Sequence, residues 1–123
     1  DRFTDATFAY QGHGRGFDLG TLRTLEQWVQ GGPEGGLRQP DLTIWFDLPP
    51  EVAAQRLAGA RVPDKFEAQP VEFFRRVAQG YGQRMADDPG RFARVAADQG
   101  VDAVRAEVFA ACRARPWWKE ARP

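Results

Sequence analysis

The stretch DLTIWFDL, Asp41–Leu48, constrains the fold more than any other part of this chain. It is nearly continuous in apolar and β-branched residues, and Pro49-Pro50 stops it. A strand with one wet face alternates polar and apolar residues, whereas a strand covered on both faces does not. The run therefore predicts a parallel strand inside an α/β sheet. One further strand is visible, a short one at Phe92–Ala96. Two parallel strands cannot bury their own faces. The pattern thus predicts the C-terminal portion of a larger α/β domain, with its other strands placed before Asp1.

Helical periodicity fills most of the remaining chain. Asp18 reads as an N-cap, and Leu19, Leu22, Leu25, Trp28 and Val29 follow at helical spacing up to Gly31-Gly32. GGPEGGLRQP then reads as a surface loop. Glu51 begins a helix to about Leu57, which Gly59–Pro63 is expected to break. Pro70 suits a first helical turn, and Val71, Phe74, Val77, Tyr81 and Met85 form the core face of a long helix to about Asp88. Pro89-Gly90 turns the chain, and Val101, Val104, Val108 and Cys112 mark a last helix. Residues 1–17 read as irregular, with the glycines of GHGRG supplying backbone freedom. The order loop–α–β–α–α–β–α is that of a parallel sheet with helices on both faces.

Composition removes several classes of function. The 123 residues suit one small domain, and 17 basic residues balance 17 acidic ones. No broad basic surface is expected, and hence no nucleic-acid partner. The longest strongly apolar run, near Ile44–Leu48, is too short to span a bilayer, so no membrane partner is expected. The lone Cys112 excludes an internal disulfide framework, and cytoplasmic localisation is the default expectation. His13 is the only histidine, so no His-rich metal site exists and no residue is assigned as a metal ligand.

Several residues in the opening stretch suit nucleotide chemistry. A guanidinium such as that of Arg2 offers two hydrogen bonds at once to a phosphate. Taken alone, however, an Asp-Arg pair such as Asp1-Arg2 is more often a surface ion pair. Gln11 donates and accepts together, which suits a pyrimidine edge. Tyr10 suits either a sugar contact or packing between loop and helix. Thr7 alone reads as a turn residue and His13 as an exposed loop residue. Trp117-Trp118 reads as packing or a dimer contact.

Four segments, in order, resemble the bacterial thymidylate kinase family. The first comprises Asp1-Arg2-Phe3, Ala6-Thr7, Ala9-Tyr10-Gln11-Gly12 and Gly14-Arg15-Gly16, similar to DR(Y/H)xxSSxAYQGxGRG. The others are PDLTIWFDLPPEVAAQR (Pro40–Arg56), DKFEAQPVEFFRRVAQGY (Asp64–Tyr81) and DPGRFARVAADQGVDAV (Asp88–Val104). Phe3 stands where the family has Tyr or His, Ala6 where it has Ser, and Ala96 where Asp is common. His13 stands where the residue is often small. The family's phosphate-binding loop, GxxGxGK(S/T), is not in these residues.

The resemblance implies the P-loop nucleoside-monophosphate-kinase fold, a three-layer α/β parallel sheet of which the C-terminal part is present. It makes 1–123 part of a single kinase domain, with 1–17 as the acceptor-nucleotide loop and 56–67 as the lid. It implies phosphorylation of dTMP to dTDP with ATP and Mg2+, in a homodimer. Asp1, Arg2, Thr7, Tyr10 and Gln11 would bind the substrate. Arg2, Arg56 and Arg61 would stabilise the charge of the transferring phosphoryl group. Arg56 and Gln99 would serve the ATP side, and Arg76 would face the same cleft. Without the phosphate-binding loop, this chain alone is not expected to transfer phosphate. Two other readings stay open: a kinase for another nucleoside monophosphate, and a non-catalytic binding module.

Overall fold

In the computed structural model, which describes residues 2–60 and 70–119, two parallel strands form the centre. β1 (Thr43–Asp47) and β2 (Phe92–Ala96) pair in register from Thr43 opposite Phe92 to Asp47 opposite Ala96. β1 is shorter than the apolar run that predicts it. Trp45 is buried, while Phe46, pointing the other way, is 55% exposed. Among the described residues, then, the strand is covered mainly on the Trp45 side.

The helices follow the predicted order. α2 (Leu19–Gln30) is capped by Asp18, whose Oδ2 accepts the Thr21 amide and hydroxyl at 2.8 Å each. Of its apolar positions Leu22 is buried, and Trp28 and Val29 face solvent. α3 (Pro50–Ala60) starts on Pro50, where a missing N–H costs nothing, and continues through Gly59. The predicted break is thus not found at Gly59 or Ala60, and its remaining positions, from 61, lie outside the described residues. α4 (Pro70–Asp87) buries Val77 and Gly80, with Phe73, Phe74, Tyr81 and Met85 half-buried. A single 3-10 turn, Pro89–Arg91, leads into β2, and α5 (Val101–Arg113) packs against that strand with no fully buried residue. Trp118 meets Phe109 edge to face at 6.5 Å, so it serves packing, while Trp117 is half exposed.

The largest departure from expectation is at the start. Of the residues 1–17 read as irregular, Thr4–Gly14 are helical. α1 (Thr4–Thr7) runs straight into a π-helical segment, Phe8–Gly14. Its wide turns show in the Arg15 amide reaching the Tyr10 carbonyl at 3.0 Å, five residues back. The glycines mislead because their main use is close packing rather than loop flexibility. Gly14 lies so near α4 that a Cβ there would meet Phe73 Cε2 at 2.8 Å. Gly16 alone in this stretch adopts positive φ, at 72°. His13 is correspondingly half-buried against α4, not an exposed loop residue.

Candidate functional site

One helical surface organises the site. Arg2, Phe3, Thr4, Ala6, Thr7, Tyr10 and Gln11 line an open cleft of about 420 Å³. Steps of three and four residues from Phe3 through Thr7 to Tyr10 and Gln11 put these side chains on one face. Four of the residues expected to bind a substrate, Arg2, Thr7, Tyr10 and Gln11, are therefore neighbours in one cleft. The exposed Arg2 guanidinium lies 5.1 Å from the Tyr10 ring centre, within cation–π range.

Of the two roles the sequence leaves open for Tyr10, the structure shows the packing one. It lines the cleft and also packs, with its ring 6.0 Å from Phe73 and edge-on to Tyr81 at 6.2 Å. Tyr81 in turn stacks on Trp45 of β1 at 5.8 Å. An aromatic column thus ties the cleft to the sheet. Burial pushes the Tyr81 hydroxyl above its ordinary pKa, and Tyr10 and Asp5 add to that; Arg2 pulls it the other way.

The remaining expected residues lie elsewhere. Arg56 is exposed on α3 and does not line the cleft. Gln99 follows the C-terminal end of β2, where its amide donates to the Ala96 carbonyl at 2.7 Å and to Glu107 Oε1 at 2.6 Å. Arg76 does not line the cleft either. Its Nε donates to the Gly14 carbonyl at 3.0 Å and so closes the end of the π-helical segment. Asp1, Arg61 and most of the 56–67 segment lie outside the described residues.

Beneath the cleft lies a charged cluster that sequence reasoning missed. Asp5 is 2% exposed and its carboxylate is gripped by a fork from Arg91, with NH1 to Oδ2 at 2.6 Å and NH2 to Oδ1 at 2.8 Å. Arg84 Nε donates to Oδ1 at 2.8 Å, and the Thr43 hydroxyl to Oδ2 at 3.0 Å. Arg84 also reaches the buried Glu26, whose Oε2 takes the Thr4 hydroxyl at 2.5 Å. Asp88 receives Arg91 Nε at 2.9 Å. Burial alone would push the Asp5 carboxyl up. The hydrogen bonds from Arg91 and Arg84, with the Arg91 charge and Thr43, outweigh it and hold the group below its ordinary value. The Arg91 guanidinium is raised in turn, chiefly by its hydrogen bonds to Asp5.

A signal for this cluster does exist. Asp5, Phe8, Ala9 and Gly12 fall at i, i+3, i+4 and i+7, an inward stripe once the segment is taken as helical. Reading residues 1–17 as a loop hides it.

A family model described as thymidylate kinase matches residues 1–108. The chain belongs to the thymidylate kinase family. It is 65% identical to the thymidylate kinase of Paracidovorax citrulli (strain AAC00-1), an alignment covering 89% of this chain and 51% of that protein. It is 58% identical to that of Polaromonas sp. (strain JS666 / ATCC BAA-500), covering 95% of this chain and 59% of the relative. With that of Albidiferax ferrireducens (strain ATCC BAA-621 / DSM 15236 / T118) it shares 62% identity, over 95% of this chain and 56% of the relative. The chain spans a little over half the length of these curated relatives. The parallel pair of strands with flanking helices is consistent with part of the P-loop kinase fold that the family implies.

Family membership implies ATP and magnesium. Among the described residues no three His, Cys, Asp or Glu side chains come together as a metal site. Of the described carboxylates beneath the cleft, Asp5 is engaged by Arg84 and Arg91 through both oxygens, and Glu26 is paired with Arg84. These residues therefore do not form a magnesium site by themselves, and no catalytic step is assigned through one.

Proposed function

We propose that the full-length protein transfers a phosphoryl group from ATP to dTMP, giving dTDP, and that the cleft on α1 and the π-helical segment receives dTMP. The reading rests on one observation in a chain of this family: Arg2, Thr7, Tyr10 and Gln11 line a single cleft. Arg2 would grip the 5′-phosphate by its fork, leaving the Tyr10 ring on which it now rests. Tyr10, braced by Phe73 and Tyr81, would present a fixed wall to the deoxyribose. Gln11 and Thr7 would hydrogen-bond the pyrimidine.

Phosphoryl transfer asks the protein mainly to position its reactants and neutralise their charge. In this chain Arg2 serves the acceptor side. Arg56 and Arg61, in the segment 56–67 proposed as a lid, would add positive charge over the transferring group, and Gln99 would lie on the adenine side. When bound, ATP supplies the phosphoryl group and its magnesium ion offsets the phosphate charge. The proposal extends to a single kinase domain acting as a cytoplasmic homodimer.

The test is turnover of dTMP, dUMP, dCMP and dGMP by the full-length protein with ATP and magnesium. Formation of dTDP with dTMP strongly preferred is the expected result. Strong preference for another acceptor overturns the choice of substrate, and no turnover of any of the four favours a binding module.

A further inference from the structure

We propose that Asp5 is a positioning residue for the nucleotide cleft, acting through the Arg91 fork and the Arg84–Glu26–Thr4 chain. The inference rests on the cleft's being the acceptor site. Thr4 and Ala6, the neighbours of Asp5, both line the cleft, while the Asp5 carboxylate turns away into the fold. There it is held by Thr43 at the start of β1, Arg84 of α4 and Arg91 just before β2. The partners in α4 and before β2 lie 79 and 86 residues away in sequence. Glu26 of α2 draws in the same wall from a second point, through the Thr4 hydroxyl and the second nitrogen of Arg84. The Arg84 guanidinium also covers the Phe8 ring at 4.2 Å, fixing the next turn.

Stability alone is a weak explanation for such a cluster. Buried ion pairs are often replaceable by apolar side chains without loss, because desolvation offsets the attraction. A planar fork on a carboxylate does supply something apolar packing lacks, a defined angle and register. A cleft wall held at two points by directional bonds keeps Arg2, Thr7 and Tyr10 in fixed relation. Binding sites need that relation held to about 0.5 Å. Asp5 touches no reacting atom, so its effect falls on acceptor affinity rather than on the ATP side.

The experiment compares full-length wild type with Asp5→Asn and Arg91→Lys. Steady-state kinetics are measured against dTMP and ATP separately, and dTMP binding by calorimetry. Asp5→Asn weakens the grip of both arginines, and Arg91→Lys keeps the charge but loses the fork, which covers the case in which the first variant fails to fold. We expect the KM and dissociation constant for dTMP to rise about tenfold in Asp5→Asn, and less in Arg91→Lys, with the KM for ATP within about twofold of wild type. A folded variant with a lower melting temperature but unchanged dTMP affinity overturns the proposal and leaves the cluster a structural one. Equal weakening towards dTMP and ATP also overturns it. If wild type prefers another nucleoside monophosphate, the choice of dTMP fails on its own, and the same comparison is read on that acceptor. A wild type that binds no nucleoside monophosphate overturns both.

Discussion

Gly80 of α4 lets the helix pass so close to Ala9 that a Cβ at position 80 would stand 2.7 Å from the Ala9 Cα. The obstacle is backbone, so no side-chain rotation relieves it. The same Cβ would also meet His13 Cδ2 at 3.0 Å. Gly80→Ala therefore has to push the π-helical segment away from α4. Overpacking of this kind costs about 1–3 kcal/mol. Denaturant unfolding should show the midpoint falling with little change in slope, and dTMP affinity should fall with it because Tyr10 rides on the displaced segment. An unchanged midpoint would show that the two elements separate freely.

The contact also shows what was legible in the sequence. The two strands, α2, α4 and α5 follow from apolar spacing and from Pro and Asp punctuation, which are local properties. Arg2, Thr7, Tyr10 and Gln11 are legible through the family motif, and the structure places them in one cleft. The opening segment reads as a loop because glycine signals both a flexible loop and a close helix contact, and only the partner helix decides between them. Here the partner is α4, far along the chain, with Gly80 against Ala9 and Phe73 against Gly14.

Most of the charged cluster is hidden in the sequence for a related reason. Asp5, Glu26, Arg84 and Arg91 carry the residue types expected on solvated surfaces. Asp5 alone carries a local signal, its place on the inward stripe with Phe8, Ala9 and Gly12, and that signal is lost when the segment is read as a loop. Glu26, Arg84 and Arg91 are drawn inward by the meeting of separate elements at one point, which single-chain periodicity does not describe. Asp18, by contrast, is legible as a cap because its partner, Thr21, is only three residues away.

Acid should unfold the protein partly through Asp5. Its folded-state pKa lies below the ordinary value of 3.8. A depressed carboxyl contributes stability that is present above the unfolded pKa and is lost as pH falls through the folded one. Stability should therefore fall with pH below about 4, with Asp5 taking up a proton on unfolding. Asp5→Asn should be less stable than wild type at neutral pH and should show a shallower acid limb. Parallel acid limbs in the two proteins would remove Asp5 as a contributor.

The aromatic column makes a separate claim about Tyr81. Burial is the main reason its hydroxyl is raised above 10.0, so it should resist ionisation until the column opens. Assigned tyrosine ring signals, followed by NMR from pH 8 to about 12, should show Tyr81 titrating later than an ordinary tyrosine. Trp45→Ala removes the stacked indole and admits water, so its Tyr81 should titrate earlier. A Tyr81 that titrates at or below the ordinary value in wild type contradicts the packing described.

Arg2 offers the most direct test of the cleft. Its guanidinium is exposed and rests on the Tyr10 ring at 5.1 Å, with no carboxylate pinning it among the described contacts. It is therefore available to a phosphate. Arg2→Lys keeps the charge but replaces the planar fork with a single ammonium, so the acceptor loses a bidentate contact. The KM for dTMP should rise about tenfold, since a charge-assisted hydrogen bond contributes on the order of 1.5–3 kcal/mol and about 1.4 kcal/mol is a factor of ten. Thymidine, which has no phosphate, should bind wild type and Arg2→Lys equally. Loss of thymidine binding together with dTMP binding would show that Arg2 holds the shape of the cleft through Tyr10 rather than gripping the phosphate. Tyr10→Phe separates the two, because it keeps the ring beneath Arg2 and should leave the dTMP phosphate contact intact.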